Sequence, residues 1–568
     1  MKRIVWPSVF LMLLVLSALP VWSQTVGAKR YWVYFTGKTN SGYSLDRPQE
    51  FLSEKAIARR ERQGIPITED DLPVSQSQVD ALIQAGAKVI HRSRWFNAVS
   101  VEVQNPVVLQ KISSFSFVQA TSAVHTYKCE NDERLGDLSE VSSLKTHEAA
   151  ASQAVYDYGL AYHQTYMLGG DYMHAKGFHG EGMLIAVIDA GFWEVGTRVA
   201  FDSLRMNGHL MGTRDFVDGG TSVYEDHTHG MQVLSVMAGN LPGALVGTAP
   251  EANYWLLRAE DSGSEKVMEE DNWVVAAEFA DSVGADIIHS SIGYTTFDDA
   301  TEDHSYADLD GKTTVVTKGA EKASSKGILV VNSAGNKGSS PWKYVAVPAD
   351  GADVLAVGAV DQFKIWAYFS SKGPTYDGRI KPNVVAQGLS TIIASVAPDA
   401  SPSPRIQTGS GTSFSAPLVS GLAACLWQAH PNATNKQLIR AIEQSGDQYF
   451  APDTLKGYGI PNFAVASMIL DGMTRDNFDN DQLIQAYPNP FGDELHFYFY
   501  SAVNQTVLIE LFNAMGQRLF NDEKRFVSNT YNMVEVEGFP PLPQGVYMLS
   551  VSTPIRTFTL PVFSKGIK

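Results

Sequence analysis

The sequence of 568 residues predicts a three-layer α/β domain with a parallel sheet, preceded by a small α+β unit and followed by a β-sandwich. Three observations support this organisation. Between residues 155 and 470, short apolar runs alternate with helical stretches, which is typical of a parallel sheet covered by helices on both faces. Two amphipathic helices among short strands precede this region. Several short strands separated by turns follow it.

Residues 1–23 have the organisation of a secretory signal peptide, and we expect cleavage after residue 23. Lys2 and Arg3 precede an uncharged apolar run from Val9 to Leu19, and a small residue stands before the expected cut. The alternative is an uncleaved membrane anchor, but the run is shorter than the ~20 residues that a spanning helix needs. We therefore expect a mature protein that leaves the cytoplasm and has no stable membrane span.

Residues 24–145 are predicted to form the small α+β unit. Capping-box patterns begin at Asp46 and at Ser75, and each is expected to open a helix, the first ending near Gln63. The remaining segments are rich in β-formers or alternate apolar and polar residues, which predicts strands. These strands are Tyr31–Phe35, Lys88–His91 and Ala98–Val103.

Residues 155–470 are predicted to contain the parallel sheet. Its strands are expected to be mostly apolar because both faces are buried. Functional groups of such sheets gather at the carboxyl ends of the strands, and Asp189 directly follows the first apolar run. The predicted strands are 183–188, 285–288, 328–331 and 354–357.

A polar linker is predicted at residues 471–486, and residues 487–568 are predicted to form the β-sandwich. Turn sequences such as Asn513–Gly516 separate short segments of strand character. These segments are Leu495–Tyr500, Val507–Asn513, Met533–Val536, Val546–Val551 and Thr557–Leu560.

Composition excludes several function classes. A formal charge of -17 and a pI near 5.2 argue against nucleic acid as a partner, because phosphates require a basic surface. The same charge disfavours binding to anionic lipid. The two cysteines, Cys129 and Cys425, cannot form a disulfide framework, and the apolar surroundings of Cys425 predict a core residue.

Three segments contain residue types suited to nucleophilic catalysis. Asp189 ends an apolar strand, His229 opens a predicted helix, and Ser413 follows a glycine-led turn at the start of another helix. A serine hydroxyl needs a nearby base to remove its proton, and histidine has a suitable pKa. An acid then holds the histidine in one tautomer and stabilises its charged form. Pro417 is expected within the first turn of its helix, where no backbone donor is lost.

These segments, in the order Asp, His, Ser, resemble those of the subtilisin-like (subtilase) serine proteases. A fourth segment, Val330–Asn336, resembles the family segment that carries the oxyanion-hole asparagine. The resemblance covers residues 155–470 and implies a secreted serine endopeptidase that acts through an acyl-enzyme intermediate. It implies a catalytic triad of Asp189, His229 and Ser413, with Asn336 stabilising the oxyanion.

Ser291, Ile292 and Gly293 resemble the family strand whose backbone pairs with an extended substrate. The resemblance therefore implies that these residues bind protein or peptide substrates. Met231 departs from the family pattern, which usually has threonine after the His-Gly pair. This departure removes no catalytic group, but we expect it to change the packing beneath His229.

The flanking regions carry weaker resemblances. Residues 24–145 are similar to the inhibitory propeptides of these proteases, which implies that the chain's own propeptide is an intramolecular inhibitor. Tyr487–Phe491 and the terminal strands resemble the C-terminal sorting domains of type IX secretion cargo in Bacteroidota. This implies recognition by the secretion machinery and a location outside the cell, either released or attached to the cell surface.

Two other function classes remain as alternatives. His227, His229, Asp189 and Asp226 could form a zinc site that activates water, although this leaves the Ser413 segment unexplained. The domain could also be a binding scaffold without activity, because fold does not dictate function. The presence of all four catalytic residue types argues against a scaffold.

The resemblance implies that no cofactor is required, and the family often uses calcium for stability. Two acidic stretches, Glu269–Asp271 and Asp298–Asp299, are candidates for such a site. Their spacing does not match a regular calcium loop, so the sequence favours solvated acidic loops.

Overall fold

The computed structural model describes residues 29–38, 41–124, 156–399, 405–471, 482–487, 489–492, 495–528, 530–536 and 538–566. The predicted signal peptide, Cys129 and residues 472–481 of the predicted linker lie outside the described residues. The described residues form the predicted small unit, parallel-sheet domain and β-sandwich.

The N-terminal unit is a four-stranded antiparallel sheet in the order β2-β3-β1-β4, with helices packed on it. The first helix begins later than predicted: Ser53, and not Asp46, caps it by accepting from the Ala56 amide at 3.1 Å. Pro48–Glu50 instead form a separate 3-10 turn. The elements are β1 (Lys29–Phe35), α1 (Glu54–Gln63), α2 (Gln76–Ala85), β2 (Lys88–Ser93), β3 (Ala98–Val103), α3 (Pro106–Ser113) and β4 (Val118–Val124).

The central domain contains a seven-stranded parallel sheet in the order β13-β12-β11-β10-β5-β9-β6. Two short antiparallel pairs, β7 with β8 and β14 with β15, lie outside it. The strands are β5 (Leu184–Asp189), β6 (Leu210–Asp215), β7 (Asn240–Leu241), β8 (Leu245–Val246), β9 (Asn253–Arg258), β10 (Ile287–Ser290), β11 (Leu329–Ser333), β12 (Val354–Val360), β13 (Val384–Gln387), β14 (Thr391–Ala394) and β15 (Ile406–Gly409).

Helices cover both faces of this sheet, which explains why its strands are apolar on both sides. In β5, Ile185 and Val187 face one core, whereas Ala186 and Ile188 face the other. Cys425 is fully buried in the first of these cores, as predicted. The helices are α4 (Tyr162–Tyr166), α5 (Gly170–Ala175), α6 (Asp202–Met206), α7 (His229–Ala238), α8 (Met268–Val283), α9 (Val315–Ser325), α10 (Thr412–Ala429), α11 (Asn435–Gln444) and α12 (Phe463–Leu470).

The chain enters this sheet at an interior strand, β5. From β5 it proceeds to β6 and β9 on one side, and then crosses to β10 on the other side. The point where the strand order reverses lies between β5 and β10, and ligands of open α/β sheets bind outside the carboxyl ends of the strands at such a point. The topology thus places Asp189, at the end of β5, beside the residues that follow β10.

The C-terminal unit consists of two antiparallel sheets, β16-β17-β20 and β19-β18-β21-β22, with a shared apolar core. Two of its strands were not predicted. The first lies inside the predicted linker, and the second is a charged edge strand without an apolar pattern. The strands are β16 (Gln482–Tyr487), β17 (Leu495–Ser501), β18 (Gln505–Asn513), β19 (Arg518–Phe526), β20 (Thr530–Val536), β21 (Gly545–Ser552) and β22 (Thr557–Ser564).

Candidate active site

Asp189 is the last residue of β5 and its side chain is fully buried. Its Oδ1 atom accepts a hydrogen bond from the Ala190 amide at 2.8 Å. The same oxygen lies 2.8 Å from Nδ1 of His229, and Oδ2 lies 3.1 Å from that nitrogen. The carboxylate is thus positioned to hold the His229 ring in one orientation.

His229 is the first residue of α7, and its side chain is 20% exposed. The helix start lies very close to the end of β5. A Cβ atom on Gly230 would lie 2.4 Å from the Gly191 carbonyl oxygen and 2.9 Å from Cβ of Asp189. Only glycine allows this approach, which brings the His229 ring to the Asp189 carboxylate.

Ser413 is the second residue of α10, whose first residue is Thr412. Its hydroxyl lies 3.4 Å from the Ser291 carbonyl oxygen, and the Ser291 hydroxyl donates to the Ser413 carbonyl at 3.0 Å. Pro417 lies inside the helix, beyond the first turn, which differs from the sequence prediction. Because proline has no N–H group, the helix supplies no donor from residue 417 to the Ser413 carbonyl.

Asn336 lies in the loop after β11, and its side-chain orientation is fixed by Thr412. The Oδ1 atom accepts from the Thr412 amide at 2.8 Å and from the Thr412 hydroxyl at 3.0 Å. The Nδ2 group, which can only donate, is therefore directed away from these donors. Thr412 was not singled out by sequence reasoning, although its place beside Ser413 was a signal.

His229, Asn336 and Ser413 line a single cavity of about 290 Å³, together with Phe414. Asp189 lies behind His229, through the hydrogen bonds already described. The structure thus brings together all four residues that the sequence nominated for catalysis.

Ser291, Ile292 and Gly293 follow β10 at the same edge of the sheet. The Ile292 carbonyl already accepts from Asn332 Nδ2 at 2.9 Å, so it is directed into the protein. The carbonyl groups of successive residues in an extended segment point to opposite sides. The carbonyl groups of Ser291 and Gly293 therefore both point away from the side that the Ile292 carbonyl faces. A Cβ atom on Gly293 would approach that of Ala346 to 2.8 Å.

The residues of the alternative zinc site do not form a ligand cluster. His227 Nδ1 accepts from the His229 amide at 3.2 Å, and Asp226 lies 3.4 Å from the Arg258 guanidinium. Within the described ranges, the one group of acidic, histidine or cysteine side chains close enough to hold a metal is Glu260, Glu265 and Glu269.

The acidic stretch Glu269–Asp271 is not a solvated loop, which corrects the sequence-based interpretation. These residues form the first turn of α8, and all are at least 97% buried. Burial raises the pKa of Glu269 to about 8, with a further contribution from Glu265. Burial also raises the pKa of Asp271 to about 7. The three consecutive acidic residues interrupt the apolar periodicity by which a helix is predicted, so the sequence did not indicate a buried helix here.

Comparison with protein families finds matches for three regions of the chain. Residues 180–459 match the subtilase family of peptidases. Residues 30–136 match the peptidase S8 propeptide domain of Bacteroidota, and residues 485–560 match a secretion system C-terminal sorting domain. In the part of the chain that the structure describes, no helix is long and apolar enough to cross a membrane.

Individual relatives agree with these family matches. Subtilisin of Bacillus pumilus is 31% identical over 300 residues, which cover 52% of this chain and 94% of that protein. Subtilisin E of Bacillus subtilis (strain 168) is 28% identical over 400 residues, which cover 69% of this chain and 86% of that protein. A solved structure of the prenylagaramide maturation protease PagA has 23% identity and a TM-score of 0.41, and the match covers 54% of this chain and 99% of that one.

The propeptide and sorting domains indicate a protease that is made as a zymogen and is secreted or placed at the cell surface. The high coverage of the Bacillus pumilus subtilisin and the match of the central domain agree on the enzyme class. The chain therefore belongs to the subtilase family of serine proteases, which hydrolyse peptide bonds.

Proposed function

We propose that this chain is a secreted serine endopeptidase in which Asp189, His229 and Ser413 form the catalytic triad. The observation that carries the proposal is the 2.8 Å contact between Asp189 and His229, combined with the shared cavity of His229, Ser413 and Asn336. Asp189 fixes the tautomer of His229 with Nδ1 protonated, which leaves Nε2 as the base.

In the first step the Ser413 hydroxyl attacks the scissile carbonyl carbon and its proton passes to Nε2 of His229. The carbonyl oxygen becomes an oxyanion, which accepts from the Asn336 side-chain amide and from the Ser413 backbone N–H. His229 then gives the proton to the leaving amine, and the acyl-enzyme remains. Water repeats the sequence, with His229 again as base, and releases the acid and the free Ser413 hydroxyl.

The 3.4 Å contact of the Ser413 hydroxyl with the Ser291 carbonyl is long for a hydrogen bond. Catalytic hydrogen bonds commonly shorten only when substrate is bound. The Ser413 hydroxyl thus turns from the Ser291 carbonyl toward His229 as the substrate enters. The Ser291 carbonyl is then available to the substrate backbone.

Substrate binding is assigned to the segment Ser291–Gly293. The inward direction of the Ile292 carbonyl leaves the backbone groups of Ser291 and Gly293 to pair with an extended peptide. Backbone pairing fixes the direction of the substrate chain and requires no particular side chain. This arrangement suits an enzyme that cuts within protein chains.

The proposed domain boundaries follow the sequence prediction: signal peptide 1–23, propeptide 24–145, peptidase domain 155–470 and sorting domain 487–568. The predicted linker, 471–486, is shortened by β16, which begins at Gln482. The propeptide inhibits the enzyme within the same chain until it is cut away. The sorting domain directs secretion and is then removed or exchanged for surface attachment.

Replacement Ser413→Ala tests the triad. We expect hydrolysis of a fluorogenic peptide pool to fall by roughly four orders of magnitude or more, because the nucleophile is lost. Labelling by a fluorophosphonate should also disappear, while the circular dichroism spectrum is retained. Ser325→Ala is the matched control, because the exposed Ser325 hydroxyl at the end of α9 donates to the Lys322 carbonyl at 2.6 Å and does not line the cavity. Wild-type hydrolysis by a clean Ser413→Ala preparation would refute the triad.

We further propose that catalysis needs no cofactor and that calcium, where bound, acts only on stability. Addition of a chelator should leave the initial rate of hydrolysis unchanged at low temperature. Chelator that has been loaded with calcium before addition is the control. Loss of activity that zinc restores would instead favour the metal-dependent alternative.

A further inference from the structure

A fully buried histidine lies behind the proposed nucleophile. His289, on β10, has no exposed surface. Its Nδ1 atom lies 2.8 Å from the Ser420 hydroxyl, and its Nε2 atom lies 2.9 Å from the Ser291 hydroxyl. Ser291 in turn donates to the Ser413 carbonyl at 3.0 Å. A line of hydrogen bonds therefore runs from the middle of α10 back to its start.

Burial holds His289 in its neutral form. Burial lowers its pKa to about 3; the charge of Asp189 opposes this shift and that of His229 adds to it. A neutral imidazole has one N–H donor and one nitrogen acceptor, so its two hydrogen bonds must run in opposite senses.

The direction of every hydrogen bond in the line can be derived from this neutrality. The Ser413 carbonyl can only accept, so the single proton of the Ser291 hydroxyl is committed to it. The Ser291 oxygen then accepts from His289, which places the ring proton on Nε2. Nδ1 consequently accepts from the Ser420 hydroxyl. The donor and the acceptor of each of these three hydrogen bonds are thereby assigned.

The Ser413 carbonyl depends on this line because its own helix does not hold it. The donor in an α-helix is the N–H group four residues later, and that residue is Pro417, which has none. The Ser291 hydroxyl takes the place of the missing donor. The orientation of the Ser413 peptide group is thus set by side chains on β10 and the residues after it.

We propose that His289 is a positioning residue for the nucleophile. By holding the proton of Ser291 on the Ser413 carbonyl, it fixes the Ser413 backbone and, with it, the points from which the side chain and the oxyanion-binding N–H group project. His289 touches neither substrate nor the reacting atoms. The proposal rests on Ser413 being the nucleophile, as in the proposed function.

Replacement of His289 by glutamine and by asparagine distinguishes the effect of losing its hydrogen-bond donor from the effect of losing side-chain volume. Glutamine places its amide where Nε2 lies and keeps a donor for Ser291, whereas asparagine reaches only the position of Nδ1 and loses that donor. We expect His289→Asn to lower kcat by about tenfold with KM unchanged, because misplacement of a reacting group lowers the rate of the chemical step. His289→Gln should remain within about threefold of wild type. The rate of fluorophosphonate labelling should follow kcat.

His174 provides the matched control. It is also a buried histidine whose pKa burial lowers to about 4, and it bonds to the Tyr158 hydroxyl and the Thr248 carbonyl. His174→Asn and His174→Gln should cost stability without separating kcat from KM. The pH profile of kcat should be the same in wild type and His289→Asn, because His229 and not His289 is the proposed general base.

Equal kcat losses in His289→Asn and His289→Gln would overturn the proposal, as would a loss in His289→Asn no larger than in His174→Asn. Where His289→Asn does not fold, Ser291→Ala breaks the same line: a tenfold loss of kcat supports the proposal, and a wild-type kcat overturns it. Failure of the proposed function can be distinguished from failure of the His289 proposal. If the proposed function were wrong, the wild-type protein itself would neither cleave peptides nor be labelled at Ser413.

Discussion

The N-terminal and C-terminal units both pack on the protease domain, but the chemical groups at the two contacts differ. At the N-terminal contact, Arg60 and Arg94 bind Asp281 of α8 at 2.8 and 2.5 Å, and Arg59 pairs with the same carboxylate. All these side chains are at least 92% buried. At the C-terminal contact, Tyr498 inserts among apolar residues of the protease core.

Aromatic side chains contribute to the C-terminal contact. Tyr498 accepts from Asn462 Nδ2 at 3.1 Å and lies edge-on to Tyr172 with ring centroids 6.2 Å apart. The ring of Tyr166 lies against that of His496 of β17, with centroids 5.5 Å apart and the ring planes inclined at 59°. Aromatic pairs of this kind stabilise a contact through apolar burial and ring geometry.

The difference between the ionic and the aromatic contact agrees with the roles proposed for the two units, an inhibitor that is cut away and a sorting domain that directs secretion. A buried ion pair contributes little net stability, but loss of one partner leaves the other charges buried and unpaired. The propeptide contact is therefore specific and can be disrupted by a change in one carboxylate. The aromatic contact of the sorting domain lacks such a single point of failure. Three predictions test this comparison, each in the uncleaved Ser413→Ala chain.

Asp281→Asn should have the largest effect, because the buried Arg59 and Arg94 lose the carboxylate that they bind and Arg60 keeps only Asp71. We expect the free energy of opening of α1 to fall by about 3–5 kcal/mol. Hydrogen exchange of the α1 amides measures this directly, as a loss of protection by a factor of about 10² or more. Asp353→Asn is the control, because its ion pair with Lys436 is partly exposed and is worth about 1 kcal/mol or less. Unchanged protection of α1 in Asp281→Asn would show that these ion pairs do not hold the propeptide.

Acid should have the next largest effect. Burial alone would raise the pKa of Asp281, but Arg94, Arg59 and Arg60 lower it to about 2. Because the folded-state pKa lies below the ordinary value, the stabilisation is present above about pH 4 and is lost as the pH falls from 4 to 2. The loss is about 2 kcal/mol. Calorimetry between pH 5 and pH 2 should show a smaller decline of Tm in Asp281→Asn, and parallel declines would contradict the assignment.

Tyr498→Phe should have the smallest effect. It removes one hydrogen bond with Asn462 and keeps the aromatic ring, so we expect a loss of about 1 kcal/mol. Protection of the α12 amides should fall about fivefold. Tyr547→Phe is the control, because its hydroxyl donates to Pro543 within the C-terminal unit at 2.9 Å. A loss in α12 that Tyr547→Phe reproduces would mean that the effect does not arise at the contact.

Local patterns predicted much of the fold. The strands β10, β11 and β12 were located within two or three residues at each end, because continuous apolar runs are a local signal. The four catalytic candidates were found from motif segments; three of them line one cavity, and Asp189 contacts His229 from behind it. The charged edge strand β19 was missed because neither of the usual periodicities is present in its sequence.

Other features were decided by residues far apart in the chain. The burial of Glu269–Asp271 could not be predicted, because it depends on segments that α8 packs against and not on α8 itself. The role of Asp281 in the propeptide contact could not be predicted, because the arginines that it binds lie more than 180 residues earlier in the chain. Nothing local distinguishes His289 from any histidine in a buried strand, since its role depends on Ser420, 131 residues later.

The sequence by itself determined the class of enzyme, the order of its domains and the identity of the residues proposed for catalysis. Each of these can be recognised from short contiguous segments, without knowledge of which residues meet in space. The tertiary structure alone decided how those residues are held. The Asn336 amide is oriented by Thr412, and the Ser413 carbonyl is held by Ser291 because Pro417 leaves it without a helical donor. Hydrogen-bond direction depends on which groups meet in space, and sequence spacing contains no such information.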